Sequence, residues 1–343
     1  MGYAFYIGML VLALIMIPFS VPASSGAAAG SKLFAGSVFP ALFPFFVCSR
    51  FLLGGRPAKK LLYGKGAFRY AILFFASAVF GTPSAALICG ELCRSGVCGR
   101  RKASVLCALF SLANPGFVIS ALSCGLAGDE RFSKIYLVSH YAPALAAAII
   151  LTTGEIFGRK KKKPTFRKEA PSEREQGTGL IGAISEAVAA ILRVGGTIVF
   201  FKAVYSVLEA AGIFRGMPPV VCGLLSGAIE FTGGLQIAAA EGGRLCTAAS
   251  AFILSFGGAC LFVQSKLFFE ELSAREYFIA KLCTGAASAF AAWALYPALA
   301  GDIAVLGGLS ESLEAPPALD LKTLAVLLCC GVSAVFSLIV TIL

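Results

Sequence analysis

The sequence predicts an all-α membrane protein: a polytopic helical bundle made of two inverted repeats, each with a broken helix and a re-entrant hairpin. Apolar runs of about 20 residues, the length a membrane helix needs, recur from end to end. Only 14% of the 343 residues are charged and mean hydropathy is +0.86, whereas soluble domains are about a quarter charged. Broken apolar segments also occur twice in the same order. The first copy carries Gly81-Thr82-Pro83-Ser84 and Ala113-Asn114-Pro115-Gly116. The second carries Glu230-Phe231-Thr232-Gly233-Gly234 and Phe256-Gly257-Gly258. Irregular backbone at membrane depth survives only where protein buries it or where it lines a cavity, and matched interruptions in two halves point to a transporter site.

The elements follow from the amino end. Residues 1–30 hold a first transmembrane helix near 5–22. The small residues of 23–30 resemble a signal-peptide cleavage region, but no positive charge precedes the apolar run and that run is long for a signal, so the helix is read as retained. Repeat 1 covers 31–154, with spanning helices near 31–53, 68–92 and 134–154 and a re-entrant hairpin over 103–126, where Asn114-Pro115-Gly116 favours a turn. A charged linker fills 155–179. Repeat 2 covers 180–300, with helices near 180–212, 218–240 and 276–300 and a hairpin over 244–268 turning at Gly257-Gly258. An external loop and a last helix near 321–342 complete 301–343. Each copy has an odd number of crossings, which inverts one relative to the other.

The net charge of +11 is a topology signal rather than a nucleic-acid one, because it gathers in short loops. Arg56, Lys59, Lys60, Lys65 and Arg69 put 54–69 in the cytoplasm, and Arg159 through Lys163 with Arg167, Lys168 and Arg174 put the 155–179 linker there too. The 301–320 loop, with Asp302, Glu311, Glu314 and Asp320 and no lysine or arginine, falls outside. One loop conflicts: Arg94, Arg100, Arg101 and Lys102 would also fall outside. Either the break near Pro83 turns its helix back, or the count is off by one crossing. Most of the twelve cysteines lie in apolar runs and act as small hydrophobes. Cys89, Cys93 and Cys98 lack zinc-site spacing. No metal and no cofactor is expected.

Glu230 is the first functional candidate. A carboxylate inside an apolar run costs about 2.5–3.5 kcal/mol on insertion scales and defaults to a functional reading. It is the coupling candidate, able to bind and release H+ or to hold Na+; its bland role is to cap a helix break or pair with a base. Lys202 lies too deep to be an end-snorkelling lysine and could receive an anionic substrate or neutralise Glu230. Arg193, Lys266, Arg50 and Lys32 read as snorkelling residues near helix ends. Thr82, Ser84, Ser111 and Asn114 in the first half, and Thr232, Ser255 and Gln264 in the second, complete the substrate-binding candidates. Helix breaks expose N–H groups suited to carboxylate or phosphate, although a single serine or threonine more often bonds back to its own helix. His140, the single histidine, suits a satisfied intramembrane histidine better than a proton relay. Without a His-Glu-x-x-His, paired aspartates or a serine–histidine arrangement, the chain is not read as an enzyme.

The strings Phe39-Pro-Ala-Leu-Phe-Pro-Phe-Phe, Gly81-Thr-Pro-Ser-Ala-Ala, Phe110-Ser-Leu-Ala-Asn-Pro, Gly227-Ala-Ile-Glu-Phe-Thr-Gly-Gly and Phe256-Gly-Gly with Gln264 together resemble the YlbJ (SpoVV) family of sporulation integral membrane proteins. The resemblance covers about residues 31–300. It implies a nucleoside-recognition (Gate) domain and a secondary transporter that exports dipicolinic acid from the mother cell across the outer forespore membrane. Two stretches depart from the family: Ser111-Leu-Ala-Asn114 stands where Phe-Thr-Asn is usual, and Gly-Thr-Pro-Ser where Gly-Tyr-Pro is common. Dipicolinate is a planar dianion. Asn114 and Ser84 would take its carboxylates, Lys202 would supply countercharge, and Phe231 or Phe256 would stack on its ring. The expected partners are this small organic anion, H+ or Na+, and the lipid bilayer, with no nucleic acid; a homo-oligomer is compatible. Transport of nucleosides or another neutral solute, and a non-transporting sporulation scaffold, remain the alternatives.

Overall fold

The computed structural model describes residues 3–55, 62, 69–157 and 179–299. Among these residues the regular structure is entirely helical. The helices are α1 (Tyr3–Met16), α2 (Ser20–Leu33), α3 (Phe39–Gly54), α4 (Arg69–Phe80), α5 (Thr82–Arg94), α6 (Arg100–Leu109), α7 (Phe132–Phe157), α8 (Leu180–Ala210), α9 (Pro219–Ile229), α10 (Phe231–Ala240), α11 (Gly243–Phe256), α12 (Gly258–Phe268) and α13 (Ala274–Leu299). π-helical turns cover Phe34–Val38 and Phe117–Leu126. Among the described residues four helical runs, Phe132–Gly154, Leu180–Ala210, Gly243–Phe268 and Ala274–Leu299, are long and apolar enough to cross a membrane, or five if the bent pair Tyr6–Met16 and Ser20–Val38 is one span. The expected helix over 321–342, the 301–320 loop and nearly all of the basic linker lie outside the described residues.

The small residues of 23–30, expected to separate two helices, are instead the body of α2. This helix runs through the π turn into α3 and meets α1 at a bend of 103°. The reason is packing. α2 lies along α8, where a Cβ added at Gly26 would meet Lys202 O at 2.6 Å and one at Gly30 would meet Val199 Cα at 2.9 Å. Small residues allow such close approach between membrane helices.

The second half contains a hairpin, but not where the sequence places it. Gly223 faces Ala238, with a Cβ built there 3.0 Å from the Ala238 Cβ, and Gly234 packs directly against the Gly227 backbone. In one continuous helix, residues 223 and 238 would stand about 22 Å apart. The 218–240 segment, expected as a single span, is therefore an antiparallel helical hairpin turning at Glu230. The expected hairpin over 244–268 is instead one apolar span interrupted at Gly257. Gly257 and Gly258 have positive φ (76° and 65°), yet the chain carries on, because the glycines serve close approach. A Cβ on Gly258 would overlap the Gly227 carbonyl.

The first half follows the same plan. Lys102, at the start of α6, sets its Nζ 5.4 Å from the ring centroid of Tyr70, at the start of α4. A continuous helix over 69–94 would separate its ends by about 37 Å, so the chain must turn back at Gly81 (φ 85°). The described elements thus run helix, hairpin, interrupted helix, long helix from α3 to α7, and long helix, hairpin, interrupted span, long helix from α8 to α13.

This arrangement resolves the conflicting basic loop. Arg100 Nε donates to Glu271 O at 2.6 Å, Ser273 N donates to Ser104 Oγ at 2.9 Å, and Arg101 lies 3.7 Å from Glu276. The 95–99 and 269–273 loops therefore share one end of the bundle. At the other end Arg244 donates to Trp293 O at 2.8 Å and stacks on the Trp293 ring, while Phe132 meets Tyr296. Turning the chain back at Gly81 puts Arg94, Arg100, Arg101 and Lys102 at the same end of the bundle as the start of α4, so the conflict expected between the basic loops does not arise.

Candidate functional site

Each hairpin tip abuts the break of its own broken span. In the first half Gly81 lies beside Asn114, with a Cβ built on the glycine 3.9 Å from the Asn114 Cβ, and Thr82 Oγ1 donates to Leu112 O at 3.2 Å. Asn114 Oδ1 accepts from Phe117 N at 2.7 Å, capping the turn that follows; such a cap fills one orphan N–H at a helix start. Ser84 is buried on α5, its Oγ 3.4 Å from Ser49 Oγ in α3. Ser111 is buried and its side-chain oxygen, beside Tyr277, has no partner at hydrogen-bond geometry.

In the second half Glu230 is fully buried at the hairpin tip. Its extended backbone (φ −133°, ψ 109°) ends α9, and its side chain caps α10. Oε1 accepts from Thr232 N at 3.0 Å, Oε2 from Gly233 N at 2.8 Å, and Thr232 Oγ1 lies 2.7 Å from both. Lys202 of α8 adds an ion pair, Nζ to Oε2, at 2.9 Å. Of the two roles open to Lys202, this conformation adopts neutralisation of Glu230. Gln264 is buried on α12 and donates to Cys260 Sγ at 3.4 Å; Cys260 neighbours Glu230, Lys202 and Thr197. Phe231 packs on Phe117 (centroids 5.8 Å) and Phe256 on Phe252 and Phe278. The Phe231–Phe117 contact ties the second tip to the first broken span.

Two long helices then join the breaks of the two halves. His140 of α7 accepts from Ala113 N at its Nε2 (2.9 Å), so its hydrogen sits on Nδ1 and is donated to Ser255 Oγ at 2.7 Å; Ser255 Oγ donates on to Ser288 Oγ at 2.7 Å. Tyr141 OH bonds the Ala113 carbonyl. Lys281 of α13 donates to Ser111 O and Ser255 O, each at 2.9 Å. Both carbonyls are available because α6 stops at Leu109 and α11 ends at Phe256. His140 and Lys281 hold near-equivalent places in α7 and α13, each about two turns from the helix start.

The nine candidates thus fall into two groups. Thr82, Ser84, Ser111 and Asn114 surround the first tip and break. Lys202, Glu230 and Thr232 surround the second tip, with Gln264 one residue removed through Cys260. Ser255 bridges the groups through His140. Lys281 is a candidate functional residue that sequence reading missed; what marks it is its burial in α13 (2% exposed), which its place seven residues into the helix does not reveal. Arg50 pairs with Glu186 at 3.3 Å, and Lys266 donates to Glu270 O and Leu272 O just past α12, both positions at helix ends.

Among known proteins, the chain is similar to the sporulation integral membrane protein YlbJ of Bacillus subtilis (strain 168), with 25% identity over 297 residues, covering 72% of this chain and 71% of that one. This is the protein whose family the sequence strings resemble. No family model matches the chain, so the Gate-domain expectation stands on those strings alone. No solved structure matches. Similarity and helical architecture together make the chain a multi-pass integral membrane protein.

Proposed function

We propose that the chain is a secondary transporter of a small organic anion, working by alternating access around its paired hairpin tips and broken spans, with the two halves as inverted copies. The observation that carries this reading is that each tip seats against a helix break while His140 links the breaks of the two halves. Helix breaks at depth serve ligands and ions in transporters, and a static scaffold has no need of four.

Dipicolinate, exported from the mother cell during sporulation, is the substrate that the family resemblance and the similarity to a sporulation membrane protein favour. Glu230 is the coupling group in this reading. Its protonation, or its capture by Na+, would compete with Lys202 for the carboxylate and loosen the tip, giving an ion gradient a handle on the hairpin.

The test is uptake by purified protein in liposomes. Labelled dipicolinate should enter faster than in protein-free liposomes, and excess unlabelled dipicolinate should compete where uridine does not. Dipicolinate uptake no faster than in protein-free liposomes, from protein that elutes as a folded species, would reject the substrate. Competition by uridine would favour the nucleoside alternative.

A further inference from the structure

We propose that Lys281, together with the Ser111 hydroxyl, receives a carboxylate of the transported anion; this rests on the transporter reading above. Lys281 is buried in α13 and its ammonium is met by two neutral carbonyls, Ser111 O and Ser255 O. An ammonium has three donors, so one is left over. Among the described residues no carboxylate pairs with it. Lys202, by contrast, is neutralised by Glu230 at 2.9 Å. A buried cation held only by dipoles is costly, and ionisable groups inside a membrane mark substrate and ion pathways.

The second observation is independent. Lys281, Ser111, His140, Ser255 and Thr284 line one small cavity at the point where the two breaks approach α13. Ser111 is 3% exposed and its Oγ, with the Tyr277 hydroxyl as its neighbour, meets no partner at full hydrogen-bond geometry, a cost that buried hydroxyls ordinarily avoid. His140 spends its one N–H on Ser255 and is neutral. The cavity therefore presents one ammonium and one free hydroxyl, two donors for the two oxygens of a carboxylate.

The space accepts an occupant of about one water's size, enough for a single carboxylate oxygen. Room for a whole anion requires the breaks to part from α13. Both carbonyls on Lys281 lie at helix interruptions, so an entering carboxylate can replace them without dismantling a helix.

The experiment is a thermal-shift titration of the detergent-solubilised full chain, with uptake in liposomes alongside. The probes are dipicolinate, picolinate, benzoate, chloride and the neutral pyridine-2,6-dimethanol. For wild type we expect carboxylates to stabilise and the diol not to. Lys281→Gln should weaken apparent carboxylate affinity at least tenfold, and Ser111→Ala about threefold to tenfold. Ser111→Ala removes an unpartnered hydroxyl and should fold normally, so the proposal stays testable if Lys281→Gln does not fold. Dipicolinate uptake by wild type with affinities within twofold in both variants would overturn the Lys281 assignment and leave the transporter reading standing. No dipicolinate uptake, but Lys281-dependent stabilisation by another carboxylate, would do the reverse. Equal stabilisation by chloride and carboxylates would reject the carboxylate class, and no stabilisation by any carboxylate would reject the proposal.

Discussion

Lys202 Nζ stands 2.9 Å from Glu230 Oε2 at the tip of a helical hairpin whose carboxylate is fully sequestered from solvent. The pair ties α8 to the tip, and three further donors from Thr232 and Gly233 saturate the carboxylate. Glu230 is therefore at once a cap, half of an ion pair and the coupling candidate. These roles separate experimentally.

Removing either partner of a buried pair leaves an uncompensated charge and costs about 3–5 kcal/mol in proteins generally. Lys202→Met is expected to destabilise at the upper part of that range. Glu230→Gln should cost less, because the amide oxygen still accepts from the tip. The double variant should be less destabilised than the sum of the singles by about 1–3 kcal/mol, the coupling seen between residues in contact. Unfolding in detergent measures all three; additivity would show that the pair is energetically idle.

The close approach of tip and break makes a sharp steric prediction. Gly234→Ala and Gly258→Ala place a methyl into the Gly227 backbone and its carbonyl; overpacking of this kind costs about 1–3 kcal/mol or more. Gly196→Ala, on an open helical face with nothing within 4 Å, should be neutral or stabilise by up to about 1 kcal/mol. Comparable melting temperatures for all three variants would contradict the packing described here.

His140→Leu leaves Ala113 N–H and the Ser255 hydroxyl without their shared partner. Unsatisfied buried groups cost about 1–3 kcal/mol each. Asn114→Ala, which removes only the cap on Phe117 N, should cost about 1 kcal/mol. Thermal unfolding should rank His140→Leu as the more damaging. The opposite ranking would mean that the link between the breaks carries little energy.

Sidedness can be read directly. With native cysteines replaced, single cysteines at Gly96 and Glu271 should react with a membrane-impermeant thiol reagent only in inside-out vesicles. Cysteines at Gly128 and Gly242 should react only in right-side-out vesicles. Labelling of positions 96 and 271 from opposite sides would contradict the contacts of Arg100 with Glu271 and of Arg101 with Glu276.

Much of this was legible in the sequence. Apolar runs declare the membrane class because backbone and side chains must both suit hydrocarbon. The four breaks declare themselves through Gly, Pro and Asn, and Glu230 through the cost of a carboxylate in an apolar run. What the sequence could not rank was which break reverses the chain. Gly257-Gly258 has the stronger local turn signal, yet the span continues there. Glu230 has a weaker one, yet the chain turns. Reversal depends on whether flanking helices find complementary faces, and the Gly223, Gly227 and Gly234 face supplies one only when α9 and α10 lie side by side.

The sequence by itself determined the class and the positions of the breaks; which break reverses the chain, and so the order of hairpin and broken span in each half, came from packing. Tertiary structure decided the partners. Lys281 bonds carbonyls 170 and 26 residues away, and His140 joins groups 27 and 115 residues away. No periodicity or spacing encodes such pairings, because a buried polar group takes whatever donor or acceptor packing brings within about 3 Å.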